Sequence, residues 1–346
     1  MVGLLDKVLE KGRQNVETVL RDIAHEYDIR QDINVRPEAL SVPEISLNPG
    51  IKIGGKIYQT TDYSSGQLLE RAGMPRKYYE KLVKHGEIDL ARSNIERMVA
   101  KVSPDSILVR AVDGVAKGIL SSSYKRMDGS VLFQSFVKTV LGYNYLPLAG
   151  LNTQSRYHLK FVKNEIMPVL NDEVVYGLSI TTSDYGASSL SINMFLMRVV
   201  CSNMMTATDV FRKVHLGSRF SGDIGDDGFV LSDRTMQMDS LTMASAVKDV
   251  LTSAVGYEKE IAEVINRNGS NPIDLKALIA KLRKDGKLTK PEAETATTVY
   301  EGELGVEYLP PQKNLWRFSN VLSLLAQSAE GDRKLELEKL SFDVME

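Results

Sequence analysis

Halfway along the chain the spacing of the apolar residues changes. Between residues 107 and 220 they come in short β-rich runs, and after Asp227 they recur every third or fourth residue. A strand presents one face with a period of two and a helix with a period of 3.6, so one pattern does not serve the other geometry. In the middle region "SILVRAVDGVAKGILSSSYKRMDG" holds two β-rich runs joined by Asp113-Gly114. That dipeptide accepts the positive φ angles of a tight hairpin. "SVLFQSFVKTVLGY" reads as a helix and "SRYHLKFVK" as a strand. "EVVYGLSITTSDYGASSLSINMFLMRVVC" reads as a strand pair turning between Asp184 and Ser188, and a further β segment crosses "RKVHLGSRF". The expectation is an α+β fold, with a central antiparallel sheet and packed helices.

The flanks are mainly helical. Leu4, Leu5, Val8, Leu9, Val16, Val19, Leu20 and Ile23 predict an amphipathic helix over residues 2–27, weakened near Gly12. Prolines and glycines exclude a long helix from "INVRPEALSVPEISLNPGIKIGGKIYQ", where short strands are expected. "SSGQLLERAGMPRKYYEKLVKHG" is helical but split by Gly73 and Pro75, and "DLARSNIERMVAKV" continues as helix. After Asp227 a long helical pattern stops at Asn268-Gly269; two shorter helices start at Pro272 and Pro291, with Gly286 ending the first. "NLWRFSNVLSLLAQSAEG" is the last clear helix. Three regions follow: 1–106, mainly helical with short strands; 107–220, the central α+β core; 221–346, acidic and mainly helical.

Of the 346 residues 43% are hydrophobic and 25% charged, an ordinary balance for a globular protein of one large domain or two. No apolar run approaches the ~18 residues a membrane span needs, so no membrane partner is expected. The first residues lack the uninterrupted apolar core of a secretory signal. A single cysteine forms no internal disulfide, which points to the cytoplasm. The net charge of -2 hides an uneven distribution: residues 107–220 carry 12 Lys/Arg against 7 Asp/Glu, and residues 221–346 carry 15 against 22. A basic centre beside an acidic tail fits nucleic-acid binding.

Cys201 needs a base to act as a nucleophile, and His215 is near in sequence. Yet it follows "MFLMRVV" and nearly precedes "MM", surroundings that suit a buried small hydrophobe. No C-x-x-C or H-E-x-x-H spacing marks a metal site, and Asp223, Asp226 and Asp227 lack the terminal Glu of a calcium loop. There is no Walker-type glycine loop and no G-x-S-x-G. No catalytic residue, metal or cofactor is therefore expected. Three basic-aromatic clusters remain: Tyr124, Lys125 and Arg126; Arg156, Tyr157, His158, Lys160, Phe161 and Lys163; Arg212, Lys213, His215 and Arg219. Their cations suit phosphates, and Tyr124 and Tyr157 suit stacking on unpaired bases.

"LVRAVDGVAKGILSSSYKRMD", "YGLSITTSDYGASSLSINMFLMRVVCSNMM" and "VHLGSRF", in that order, resemble a family found in phages, plasmids and mobile islands, the domain of unknown function 932. "LLERAGMPRKYYEKL" resembles its early helical segment, so the resemblance spans roughly residues 66 to 220. The chain has "CSNMM" where the family is associated with an Asn-Gly step. The resemblance implies a mobile-element context and brings no catalytic residues.

These readings converge on a DNA-binding accessory protein of phage or plasmid recombination or replication. Its narrower form is a single-strand annealing protein, a homo-oligomer that holds single-stranded DNA on Tyr124, Lys125, Arg126, Arg156, Tyr157, Lys160, Arg212, Lys213 and Arg219. The acidic C-terminal region is expected to lie over that surface and compete with phosphate. The alternative is a protein-interaction factor in anti-restriction, host takeover or the virion, with a phage or host protein partner. A hydrolase built on Cys201 and a histidine is the third reading.

Overall fold

The computed structural model describes residues 2–102, 106–122, 124, 128–199, 204–213, 233–302 and 308–346. Two sheets with helices on their faces make an α+β protein. Chain order runs α1 (Val2–Ile29), β1 (Gln31–Val35), β2 (Ser41–Glu44), β3 (Gly50–Ile53), β4 (Lys56–Thr60), α2 (Asp62–Arg71), α3 (Arg76–Lys84), α4 (Ile88–Val102), β5 (Ile107–Val112), β6 (Val115–Ser121) and α5 (Gly129–Gly142). It continues through β7 (Tyr145–Asn152), β8 (Tyr157–Val169), β9 (Asp172–Thr182), β10 (Leu190–Arg198) and β11 (Met204–Lys213). The helices α6 (Asp233–Ala254), α7 (Glu258–Asn268), α8 (Leu275–Lys284), α9 (Lys290–Glu301), α10 (Leu315–Ser328) and α11 (Gly331–Asp343) complete it.

The first sheet has the order β1-β5-β6-β4-β3-β2. Its β5–β6 hairpin turns at Asp113 (φ 52°) and Gly114 (φ 78°), the positive angles that the dipeptide predicts. The partners of that hairpin differ from expectation. β5 pairs antiparallel with β1 and β6 pairs parallel with β4, so the boundary expected at residue 106 cuts through a sheet. A parallel partner requires a long crossover, here supplied by α2, α3 and α4. These helices cover the sheet with Leu68, Leu69, Tyr79, Leu82, Ala91, Ile95 and Val99, packed on Val42, Ile51, Ile107, Val109 and Ile119.

The second sheet, β11-β10-β9-β8-β7, is antiparallel throughout. Its inner face sets Tyr157, Leu159 and Phe161 of β8 and Tyr176, Leu178 and Ile180 of β9 against Leu132, Phe133 and Phe136 of α5, and Val247 and Leu251 of α6. Alternation sends His158, Lys160 and Val162 to the outer face. That face is also covered, so β8 from Tyr157 to Val162 is buried on both sides. Sheets buried on both faces lose the polar-apolar alternation that marks a half-exposed strand.

α1 is one continuous helix through Gly12. A Cβ on Gly12 would stand 2.1 Å from the Leu148 carbonyl oxygen, and one on Gly150 would stand 2.8 Å from that of Asn15. The two glycines let helix and edge strand touch backbone to backbone, which places Val16, Val19 and Ile23 in the main core.

The β9–β10 turn joins the sheets. Asp184 receives the Arg110 guanidinium at its carbonyl (2.8 Å) and lies 3.4 Å from Arg30 at its carboxylate. Arg110, fully buried, also forks onto Asp32 at 2.8 and 3.1 Å. The Tyr185 residue packs on Gly118 of β6, and its hydroxyl donates to Glu26 of α1. Glu26 also accepts from Lys117 at 2.7 Å and from Tyr157 at 2.5 Å. These donors hold its carboxyl below the usual range although burial, the largest influence, pushes the other way.

Candidate nucleic-acid interface

Of the nine residues expected to bind a strand, six lie among the described residues and three do not. Lys125, Arg126 and Arg219 lie outside the described residues, as do Cys201, His215, Asp223, Asp226 and Asp227. Arg212 and Lys213 occupy β11 opposite Ser191 and Leu190. β10 and β9 separate β11 from β8, which at the usual strand spacing is about 14 Å.

Tyr157 does not stack on a base as it stands. It is 1% exposed, on the inner face, with its hydroxyl on Glu26. Tyr124 donates its hydroxyl to the Ser183 carbonyl at 3.1 Å, and burial raises its pKa. Lys160 is also withdrawn from solvent: it is 2% exposed, and its ammonium meets the Glu338 carboxylate of α11, itself 2% exposed. Burial pulls the Lys160 pKa below its ordinary value, with Glu338 opposing. Arg156 is partly exposed and pairs with Asp332 at 3.3 Å. Between them His158 contacts the Thr181 hydroxyl through Nδ1 at 2.6 Å, while its buried Nε2 has no hydrogen-bond partner among the described residues. Burial drives its pKa well below 6.5, and the cations Lys160 and Lys334 add to this. Arg156 and Lys160 thus face acidic side chains of α11.

Exposed cations cluster on α8. On α8, Leu275, Leu278, Ile279 and Leu282 face the core shared with α9 and α10. The Asp274 carboxylate caps the helix by accepting from the Ala277 amide at 3.0 Å. The remaining positions turn outward, so Lys276, Lys281, Arg283 and Lys284 are exposed, with only Ala277 and Ala280 between them on that side. Gly286, at φ 69°, reverses the chain, and exposed Lys287 extends the cluster. None of these five cations has an ion-pair partner among the described residues. Three of them complete the last helical turn, where they also favour the helix dipole. The regional charge sum of residues 221–346 conceals this cluster; a window of ten residues over "KLRKDGKLTK" shows it.

A second basic face lies on α3. Tyr79 and Leu82 point into the core, while Lys77, Tyr78, Lys81, Lys84 and His85 are exposed. Arg76 is taken up by Glu80 at 2.9 Å and Asp62 at 3.6 Å.

No group of His, Cys, Asp or Glu among the described residues is arranged to hold a metal ion, and no helix among them is long and apolar enough to cross a membrane. A shallow groove of about 530 Å³ runs between α1 and α5, lined by Leu20, Ile23, Ala24, Val137, Lys138 and Leu141. Comparison with family models, curated proteins and solved structures found no match to the chain.

Proposed function

We propose that this is a DNA-binding protein of phage or plasmid type, acting in recombination or replication in the cytoplasm, with the end of α8 as a phosphate-contacting surface. The observation that carries this reading is the cluster Lys276, Lys281, Arg283, Lys284 and Lys287, exposed and without ion-pair partners among the described residues. Paired surface cations have their counter-charge already. Unpaired ones meet phosphates directly, and the counterions that a bound strand then releases make binding favourable. The alanines between them leave room for a phosphate backbone to approach. The mobile-element context rests on the resemblance over residues 66 to 220. The annealing form of the reading loses two stacking residues, since Tyr124 and Tyr157 are occupied as described.

The test is a titration of a labelled single strand of about 30 nucleotides, longer than the roughly 4–16 that one binding fold covers, at several salt concentrations. The parent is expected to bind with a steep salt dependence, and Lys281→Ala/Lys284→Ala to flatten the slope by about 1.4, from roughly 0.7 per phosphate contact. A parent that binds neither this strand nor its duplex at about 50 mM salt overturns the reading.

One observation favours a protein-interaction factor instead: the apolar groove between α1 and α5, beside exposed Leu141 and Tyr143. On that reading Leu141→Asp abolishes association with a partner protein and leaves DNA titrations unchanged.

A further inference from the structure

We propose that α2 and α3 form a helix-turn-helix unit for double-stranded DNA, with α3 the helix that enters the major groove. This deepens the DNA-binding reading and rests on it for the polymer class, but it concerns a different surface and a different form of the polymer.

α2 ends at Arg71, α3 starts at Arg76, and four residues connect them. Gly73 sits in the left-handed region at φ 61°, with open space where a Cβ would be, so only its backbone conformation demands glycine. The Met74 amide returns to the Leu69 carbonyl at 2.9 Å and the Gly73 amide to that of Glu70 at 2.9 Å, closing the end of α2. Pro75 then stands immediately before α3, where its missing amide hydrogen costs nothing. A turn of three or four residues containing glycine is what joins the two helices of such a unit.

Leu68, Leu69 and Ala72 of the first helix and its end, Met74 of the turn, and Tyr79 and Leu82 of the second are all buried in one core with Ala91, Ile95 and Val99 of α4. α4 is thus a third helix that braces the pair. The Tyr79 hydroxyl donates to the Ser46 carbonyl at 2.5 Å and fixes the rotation of α3 about its own axis. That rotation is the useful fact: it sets positions 77, 78, 81, 84 and 85 toward solvent, one contiguous face at helical spacing.

The chemistry of that face selects the occupant. It carries Lys77, Lys81 and Lys84, an exposed Tyr78 and His85, and none of the three lysines has an ion-pair partner among the described residues. The one carboxylate within α3, Glu80, is held by Arg76. A polyanion fits this charge. A duplex fits the shape, because a helix about 10–12 Å across matches a major groove about 12 Å wide. In such docking the first residues of the inserted helix reach base edges. Here these are Lys77, suited to guanine O6 and N7, and Tyr78; Lys81 and Lys84 are left for flanking phosphates.

The test uses the full chain, with a mixed-sequence duplex of about 30 base pairs and one of its strands as probes, at about 100 mM salt. The variant Lys77→Ala/Tyr78→Ala/Lys81→Ala changes exposed positions only, and its thermal midpoint is checked against the parent. The expected result is a loss of duplex affinity of roughly tenfold or more, with single-strand affinity within about twofold of the parent. Lys281→Ala/Lys284→Ala serves as the contrast, and is expected to weaken both probes. If the α3 variant binds duplex as the parent does, or loses both probes equally, the assignment of α3 to duplex is wrong and the DNA-binding reading stands. If the parent binds the single strand but no duplex, the same holds. If the parent binds neither probe, both proposals fall. As a second measurement, selection from a random duplex pool is expected to enrich a short motif with the parent and none with Tyr78→Ala; a motif unchanged in Tyr78→Ala removes that side chain from base contact.

Discussion

The Lys160 ammonium and the Glu338 carboxylate, 178 residues apart in sequence, meet in the interior between the second sheet and α11. Each is 2% exposed, so neither exchanges its partner for water. Buried pairs of this kind contribute little net stability, yet losing one partner is severe because the other remains charged and unpaired. Glu338→Leu or Lys160→Met alone is expected to cost about 3–5 kcal/mol. The double variant is expected to recover most of that loss. Guanidinium unfolding of the three variants measures it, and a double variant as unstable as the sum of the singles would contradict the pairing.

His158 gives the protein an acid-sensitive point. Burial and the Lys160 and Lys334 charges keep the ring neutral in the folded state, with a pKa well below the ordinary 6.5. The unfolded chain takes up that proton below pH 6.5, so acid favours unfolding. Stability from this group is fully present above pH 6.5 and falls by about 1.4 kcal/mol per pH unit below it. His158→Asn is expected to flatten the stability curve below pH 6.5. Equal slopes for parent and variant would place the proton elsewhere.

Two glycines in helices carry opposite expectations. Gly12→Ala would drive a methyl group into the Leu148 backbone, which has no side-chain freedom with which to yield. A loss of about 3 kcal/mol or more is expected, at the upper end for overpacking. Gly66, within α2, has open space where a Cβ would stand. Gly66→Ala is expected to stabilise by about 0.5–1 kcal/mol from helix propensity. Thermal denaturation of both variants checks the contrast in sign.

Glu292 closes the start of α9. It accepts from Arg333 at 2.8 and 2.6 Å and from the Thr289 amide at 2.8 Å, contacts that hold its pKa at about 2. A depressed carboxylate stabilises above its ordinary value of 4.5 and loses that contribution as pH falls from 4.5 to about 2. The group is near the surface, so screening reduces the effect to about 1 kcal/mol. Glu292→Gln is expected to show that loss at pH 7 and to converge with the parent near pH 2, as read by urea unfolding.

Local structure is legible in the sequence wherever one residue type meets one backbone demand. Asp113-Gly114 marks a hairpin because few other pairs tolerate two positive φ angles, and Gly286 ends α8 for the same reason. The β9–β10 turn at Asp184 to Ser188 is legible from the polar interruption between apolar runs. Pairing between distant strands is not. Nothing within β5 and β6 states that β1 and β4, rather than the strands that follow, are their partners. Burial of Lys160 and Tyr157 is hidden for a related reason: both read as surface residues until Glu338 and Glu26 arrive from remote helices. The face from Lys77 to Lys84 is present in the sequence as period and charge together, but the period alone says only that the segment is a helix.

The backbone contact between Gly12 and Leu148 has a consequence for synthesis. α1 is complete once residue 29 has been made, but the strand it rests on ends at Asn152. At about 5–20 residues per second the helix waits on the order of ten seconds for its seat. During that interval the first sheet can close, since β6 ends at Ser121, while Val16, Val19 and Ile23 still lack the core they will enter. The nascent chain therefore carries an uncovered apolar helix ahead of an assembled sheet until β7 is made.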